Sequence, residues 1–120
     1  MRVGKNLNQL LNDIQKLEVS ISQTEEFQKL KSAVEMVRED EEARGIFTNF
    51  RDVQIQLQQK QMQGEELQED EYIHLQKTAQ LAQQNPKIMA MLEAEMALSR
   101  VIDEVNKTLV RPIQSLYDGL

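Results

Sequence analysis

Apolar residues recur every three or four positions along almost the whole chain, and this spacing places them on one side of an α-helix. The first segment shows the pattern with Leu7, Leu10, Leu11, Ile14, Leu17 and Ile21. The 120 residues include only 4 Gly and 2 Pro, too few to supply the turns of a many-stranded sheet. The sequence therefore predicts an all-α fold.

Residues that start and stop helices divide this pattern into five segments. The first helix is predicted from Val3 to Ser22, and the Thr24 hydroxyl is suited to cap a second helix. Asp40 either caps a third helix or marks a bend in the second. The third helix should run to about Gln63, with Gly64 in the left-handed conformation that ends it.

The last two helices have less uniform boundary signals. Gln68 is a weak cap for the fourth helix, whereas Asn85 before Pro86 is a strong start for the fifth. Pro112 should end or kink that helix. A short final turn is then expected to pack back on the core through Ile113, Leu116 and Tyr117.

The apolar faces of helices three to five predict how these helices pack. The set comprises Ala43, Ile46, Phe50, Val53 and Leu57, then Tyr72, Leu75, Ala79 and Ala82, then Ile88, Met91, Leu98, Ile102, Val105 and Leu109. The connection from Gly64 to Gln68 is so short that helices three and four should be antiparallel. We expect an antiparallel helical hairpin or bundle of about five helices, with residues 1–120 forming a single helical domain.

The amino-acid composition limits the cellular compartment and the classes of ligand that we expect for this chain. The chain has no Cys, which excludes disulfides and thiolate metal sites and favours the reducing cytoplasm. No apolar run approaches the ~20 residues that span a bilayer, and the N-terminal segment lacks the apolar stretch of a signal peptide. The net charge is −6 and the basic residues are scattered, so we expect no binding to nucleic acid or membrane.

The side chains that could carry chemistry do not form a recognisable catalytic set. His74 is the only histidine, and it projects away from the apolar face of the fourth helix, as a solvated residue would. The acidic run that includes Glu65, Glu66, Glu69, Asp70 and Glu71 surrounds a helix start, where carboxylates favour the helix dipole. We therefore predict no enzyme activity, no metal and no cofactor.

Several residues outside the main apolar faces are candidates for an interface. Ile55 and Met62 lie one heptad apart in a glutamine-rich stretch, and Met89, Leu92 and Met96 form a second set. Glu95 places a carboxylate in an apolar seam, so it should pair with a basic residue or meet water; a structural and a specificity-setting role both remain open. These residues predict a homo-oligomer, with a dimer favoured.

Three parts of the chain resemble the YheA/YmcA/YlbF family of Gram-positive bacteria, and its YheA-like branch in particular. They are FRDVQIQLQQKQMQGE from Phe50 to Glu65, the Gln83-Gln84-Asn85 turn, and Leu92-Glu93-Ala94-Glu95 leading to Arg111-Pro112-Ile113 and Leu116-Tyr117. The resemblance implies an all-helical, oligomeric, cytoplasmic protein. It also implies regulatory binding, because YmcA and YlbF relatives are subunits of a complex tied to RNA processing, competence, biofilm formation and sporulation.

These observations predict a helix-mediated adaptor or regulatory protein with a protein partner. The alternative is a structural or chaperone-like coiled-coil protein. An enzyme is the weakest of the three classes. The relatives' complex is linked to iron–sulfur clusters, which this cysteine-free chain has no thiolate to bind.

Overall fold

The computed structural model describes residues 2–120, with side chains from Asn6 onward. Within these residues there are five helices and no strand, which confirms the all-α prediction. The helices are α1 (Arg2–Ser22), α2 (Glu25–Glu39), α3 (Glu41–Met62), α4 (Glu69–Gln84) and α5 (Pro86–Leu116).

The contacts divide the chain into two compact units. Unit 2 is the continuous segment Ser32–Glu93, whereas unit 1 combines the residues up to Lys31 with Ala94–Leu120. A single domain over residues 1–120 stays a prediction. None of the described helices has the length and apolar character needed to cross a membrane.

Side-chain caps set the first helix boundaries where the sequence predicted them. The Thr24 hydroxyl accepts the Phe27 backbone N–H at 3.2 Å, which satisfies an otherwise unpaired donor at the start of α2. Asp40 does the same for Ala43 at 3.1 Å. Its extended backbone separates α2 from α3, so Asp40 caps a third helix rather than lying within a bent second one.

The end of α3 forms a Schellman motif at Gly64. Gly64 has φ of 77°, the Glu65 N–H donates to the Lys60 carbonyl at 3.0 Å, and the Gly64 N–H donates to the Gln61 carbonyl at 3.1 Å. The chain then enters α4 after Gln68, whose backbone N–H donates to the Glu71 carboxylate at 3.2 Å. Helices α3 and α4 pack against each other across this short connection, which confirms the antiparallel hairpin.

Helix α5 begins as predicted and ends later than predicted. The Asn85 side chain accepts backbone N–H groups of Lys87 and Ile88 at 3.0 and 3.1 Å. The helix then continues through Pro112 to Leu116, so of the two alternatives predicted at Pro112, an end of the helix is wrong and a kink stays a prediction. Proline has a helical φ, and the carbonyl that loses its partner lies in an exposed part of the helix where water can bind it.

The core of unit 2 is built from the predicted faces of α3, α4 and the start of α5, together with the end of α2. Its buried apolar residues are Val37, Ala43, Val53, Leu57, Ala82, Ile88 and Met91. Thr78 is also buried, and its hydroxyl donates to the Leu75 carbonyl at 2.9 Å, so no polar group is left unsatisfied there. Small residues at Ala43 and Ala82 allow helices to approach closely.

Candidate functional site

Two ion pairs mark opposite ends of α3. At its start, Lys87 Nζ lies 2.8 Å from Asp40 Oδ2, and at its end Lys60 Nζ lies 2.7 Å from Glu71 Oε1. The Lys87 hydrogen bond, followed by the Ala43 N–H, lowers the pKa of Asp40. The Lys60 hydrogen bond, followed by the Gln68 N–H, lowers the pKa of Glu71, and the same carboxylate raises the pKa of Lys60. Both pairs join helix ends, so they orient α3 in unit 2.

The interface candidates on α3 are accessible. Ile55 is 44% exposed and Met62 is 87% exposed, although both side chains are apolar. On α5, Met89 and Leu92 in unit 2 are half-buried, and Met96 in unit 1 is 56% exposed. A role in an interface stays a prediction for these residues.

Glu95 lies on the exposed side of α5 and forms no ion pair within the described residues. Of the two situations expected for a carboxylate in this seam, the structure has the one in which the seam meets water. A solvated carboxylate carries no large desolvation penalty. Its structural or specificity-setting role stays open.

The apolar face of α1 is more exposed than its spacing led us to expect. Leu10 is 53% exposed and Ile14 is 49% exposed, and Leu7 and Leu11 have similar values. An apolar face with this spacing is ordinarily buried, but the first half of this one is about half exposed. Towards the end of α1, Leu17 and Ile21 are half-buried and line an apolar cleft of about 450 Å³ with Phe27.

The end of α5 is exposed as well. Leu109, Ile113, Leu116 and Tyr117 are each more than half exposed, so the prediction that a final turn packs on the core is wrong. For Ile113 and Leu116 the reason is the continuation of the helix through Pro112, which keeps these side chains on the helix instead of letting the chain turn back. The sequence identified the apolar residues of α1 and α5, but their spacing does not indicate what covers them.

The described residues do not assemble an acid–base or metal site. His74 is exposed, as predicted, and no three His, Asp or Glu side chains among residues 6–120 form a group that could hold a metal ion. The carboxylates with lowered pKa values, Asp40 and Glu71, are each held by a lysine and a backbone N–H. Their arrangement suits helix capping, and the absence of a cofactor or an enzyme activity stays a prediction.

Long helices with exposed apolar faces and paired, capping carboxylates define an all-α protein without strands among the described residues. Residues 10–114 match the family model described as "Control of competence regulator ComK, YlbF/YmcA". The chain belongs to this YlbF/YmcA family, which confirms the resemblance seen in the sequence.

Relatives place the chain near the YheA branch. It is 46% identical over 104 residues to the UPF0342 protein YheA of Bacillus subtilis (strain 168), covering 87% of this chain and 89% of YheA. A solved protein of unknown function (DUF964) from Bacillus stearothermophilus is 39% identical, with a TM-score of 0.83, over 92% of this chain and 97% of that one.

A more distant solved structure shares the fold. It is Bacillus subtilis RicA in complex with RicF, with a TM-score of 0.65 at 22% identity, covering 89% of this chain and 95% of that chain.

Proposed function

We infer that this protein is a cytoplasmic adaptor or regulatory subunit that acts through helix contacts, first with a second copy of itself and then with a protein partner. The observation that carries this proposal is the exposed apolar face of α1, where Leu7, Leu10, Leu11 and Ile14 are each about half exposed. Contiguous apolar strips on long helices usually mark interfaces, whereas single exposed apolar residues do not.

The comparisons support a regulatory role. The family model carries the description of competence regulator control, and the RicA structure was solved as a complex with RicF. A protein of this type needs binding surfaces rather than a nucleophile, a base and an orienting group. Its net charge of −6 also argues against nucleic acid as the direct ligand.

The homodimer is tested by sedimentation equilibrium at micromolar concentration. We expect a dimer mass, and we expect Ile55→Glu with Met62→Glu to weaken association, because two carboxylates would have to be desolvated in an apolar contact. Gln54→Glu with Gln61→Glu is the matched control, since it adds the same charges at the same spacing on exposed positions of α3. A monomer mass for the unchanged protein would defeat self-association.

The partner is tested by recovering the protein from cells and identifying what comes with it by mass spectrometry. Specific recovery of a ribonuclease or its accessory proteins supports the adaptor. The chaperone-like alternative also fits the exposed strip on α1, and it predicts many unrelated clients instead. In the adaptor case, Leu10→Glu with Ile14→Glu should abolish recovery, while Asn8→Glu with Asn12→Glu, on the other side of α1, should preserve it.

A further inference from the structure

One row of residues on α3 is exposed over its whole length. Arg44, Thr48, Arg51, Ile55 and Met62 are all exposed, and their spacing of 4, 3, 4 and 7 keeps them on one side of the helix. We name these five residues the outer row. The buried residues of α3, Ala43, Val53 and Leu57, lie on the opposite side. The outer row is therefore continuous and belongs entirely to unit 2.

Charge changes sign between the outer row and the turn that follows α3. Its first half carries Arg44 and Arg51, its second half carries the apolar Ile55 and Met62, and Glu65 and Glu66 follow immediately beyond the helix. Both glutamates are exposed, and neither forms an ion pair within the described structure. From the start of α3 to the turn after it, the exposed residues are therefore first cationic, then apolar, then acidic.

The arginines of the outer row keep hydrogen-bond donors free for a partner. Every ion pair within residues 6–120 uses a lysine, namely Lys29, Lys60, Lys87 or Lys107. Arg44 Nη1 donates to the Arg38 carbonyl at 3.1 Å, and the Arg51 guanidinium lies 5.9 Å from the centroid of the Phe47 ring. A guanidinium has five N–H donors, so these contacts orient the arginines without exhausting them.

The same arginines border a small cavity. Arg38, Arg44 and Arg51 line about 250 Å³ together with Thr48 and Phe47, and the buried Val37 and Met91 form the inner side of the cavity. This volume is below the roughly 300–1,000 Å³ typical of small-molecule sites, so it suits a side chain better than a cofactor. Glu41 and Asp52 border a neighbouring cavity with Arg44, yet neither lies within ion-pair distance of it among the described residues.

The outer row is self-complementary under a two-fold axis. Arg44 precedes Ile55 by as many residues as Glu66 follows it. If a second copy of α3 lies antiparallel with the two Ile55 side chains at the axis, Arg44 of each copy faces the acidic segment just beyond the end of the other α3, and Arg51 lies nearer the axis, opposite Gln59. Carboxylates pair well with guanidinium groups in this setting.

We propose that two copies of this chain associate through antiparallel α3 helices, with Arg44 of one copy binding the Glu65–Glu66 segment of the other and Arg51 adding positive charge nearer the axis. The proposal rests on the proposed homodimer and specifies its surface, its direction and its charge pairing. Ile55 and Met62 supply the apolar centre of the contact, and the arginines and glutamates set its direction.

Charge reversal tests the pairing by sedimentation equilibrium. Arg44→Glu with Arg51→Glu should weaken dimerisation about tenfold or more, because like charges then face each other at both ends of the contact. Glu65→Arg with Glu66→Arg should do the same. Arg100→Glu with Arg111→Glu applies the first charge change to exposed positions of unit 1 and should leave the dimerisation constant unchanged.

Combining the reversals distinguishes the pairing from general charge effects. A chain with all four substitutions should regain the original dimerisation constant, since every contact again joins opposite charges. A 1:1 mixture of the two double variants should also form a mixed dimer. Failure of both restorations, with each variant folded by circular dichroism, would overturn the proposal.

A cross-linking measurement covers the case in which a charge variant does not fold. The chain has no cysteine, so Ile55→Cys introduces a single thiol at the proposed two-fold axis. A short bismaleimide should join two such chains rapidly. Ile73→Cys, an equally exposed position on α4 at 44%, should join slowly.

The outcomes separate this inference from the proposed function. A monomer mass for the unchanged protein would overturn both. A dimer in which the Arg44 and Arg51 reversal behaves like its Arg100 and Arg111 control, or in which residue 55 cross-links no faster than residue 73, would overturn the α3 contact alone.

Discussion

Asp40 and Glu71 each bind a backbone N–H at a helix start and a lysine from another helix. Asp40 accepts the Ala43 N–H at 3.1 Å and pairs with Lys87, while Glu71 accepts the Gln68 N–H at 3.2 Å and pairs with Lys60. These contacts favour the ionised carboxylate and lower both pKa values below the ordinary values of 3.8 for Asp and 4.5 for Glu.

We therefore expect acid to destabilise the protein partly through Asp40 and Glu71. Because the folded pKa values are lower than the unfolded ones, the contribution is fully present above the ordinary values and disappears as the pH falls through the lowered values. Asp40→Asn with Glu71→Gln should lower the Tm at neutral pH and flatten its decline below about pH 5. Thermal unfolding at constant protein concentration and several pH values measures this.

The control for the acid response uses two exposed carboxylates without ion pairs in the described structure. Glu93→Gln with Asp103→Asn removes one Glu and one Asp, as the test variant does, and should leave the decline of Tm unchanged. Equal declines in all three proteins would contradict a role for Asp40 and Glu71.

At the scale of the helix, two glycines can be compared directly: Gly45 lies within α3, and Gly64 lies just beyond its end. A Cβ added at either position would meet no atom within 4 Å, so neither substitution is limited by space. Gly64 has φ of 77°, where an L side chain is strained, whereas Gly45 lies inside the helix.

Alanine should act in opposite directions at these two glycines. Gly64→Ala should lower the free energy of unfolding by about 1–2 kcal/mol, the cost of a left-handed residue with a side chain. Gly45→Ala should raise it by about 0.4–1 kcal/mol, because alanine loses less backbone freedom on entering a helix. Urea unfolding of both variants measures this, and two changes of the same sign would contradict the explanation.

Helix boundaries could be predicted because most of them depend on neighbouring residues. Thr24, Asp40 and Asn85 bind N–H groups only two or three residues ahead, so the sequence around each carries the necessary information. The Lys60–Glu71 and Lys87–Asp40 pairs depend on how helices pack, and no local pattern identified them. Pro112 does not end α5, because a helix tolerates a proline whose freed carbonyl can reach water.

At the scale of the whole chain, apolar spacing predicted which faces could be buried but not which are buried. The sets on α1 and α3 have similar spacing, yet Val53 and Leu57 are buried while Leu10 and Ile14 stay half exposed. The difference arises because α3 packs on α4, whereas what covers the first half of α1 is not encoded in its own spacing. For the same reason, the sequence shows the order of charges along the outer row but not that these residues are exposed and therefore able to bind a partner.

The two compact units differ in chain connectivity, which affects the order in which they can fold. Unit 2 is one continuous segment, but unit 1 needs residues on both sides of it, so forming unit 1 first would close a long flexible loop. Val34 and Met91, near the two ends of unit 2, line the same cavity, so folding of unit 2 shortens that loop.

We therefore expect the amides of α3 and α4 to gain protection before those of α1 when the full chain refolds from denaturant. Pulse-labelling hydrogen exchange read out by mass spectrometry measures the order, and α1 protected first or together with α3 would contradict it. Until unit 1 forms, the exposed apolar face of α1 remains on an unfolded segment. This segment leaves the ribosome before unit 2. The newly made chain would then depend most on chaperones at its beginning.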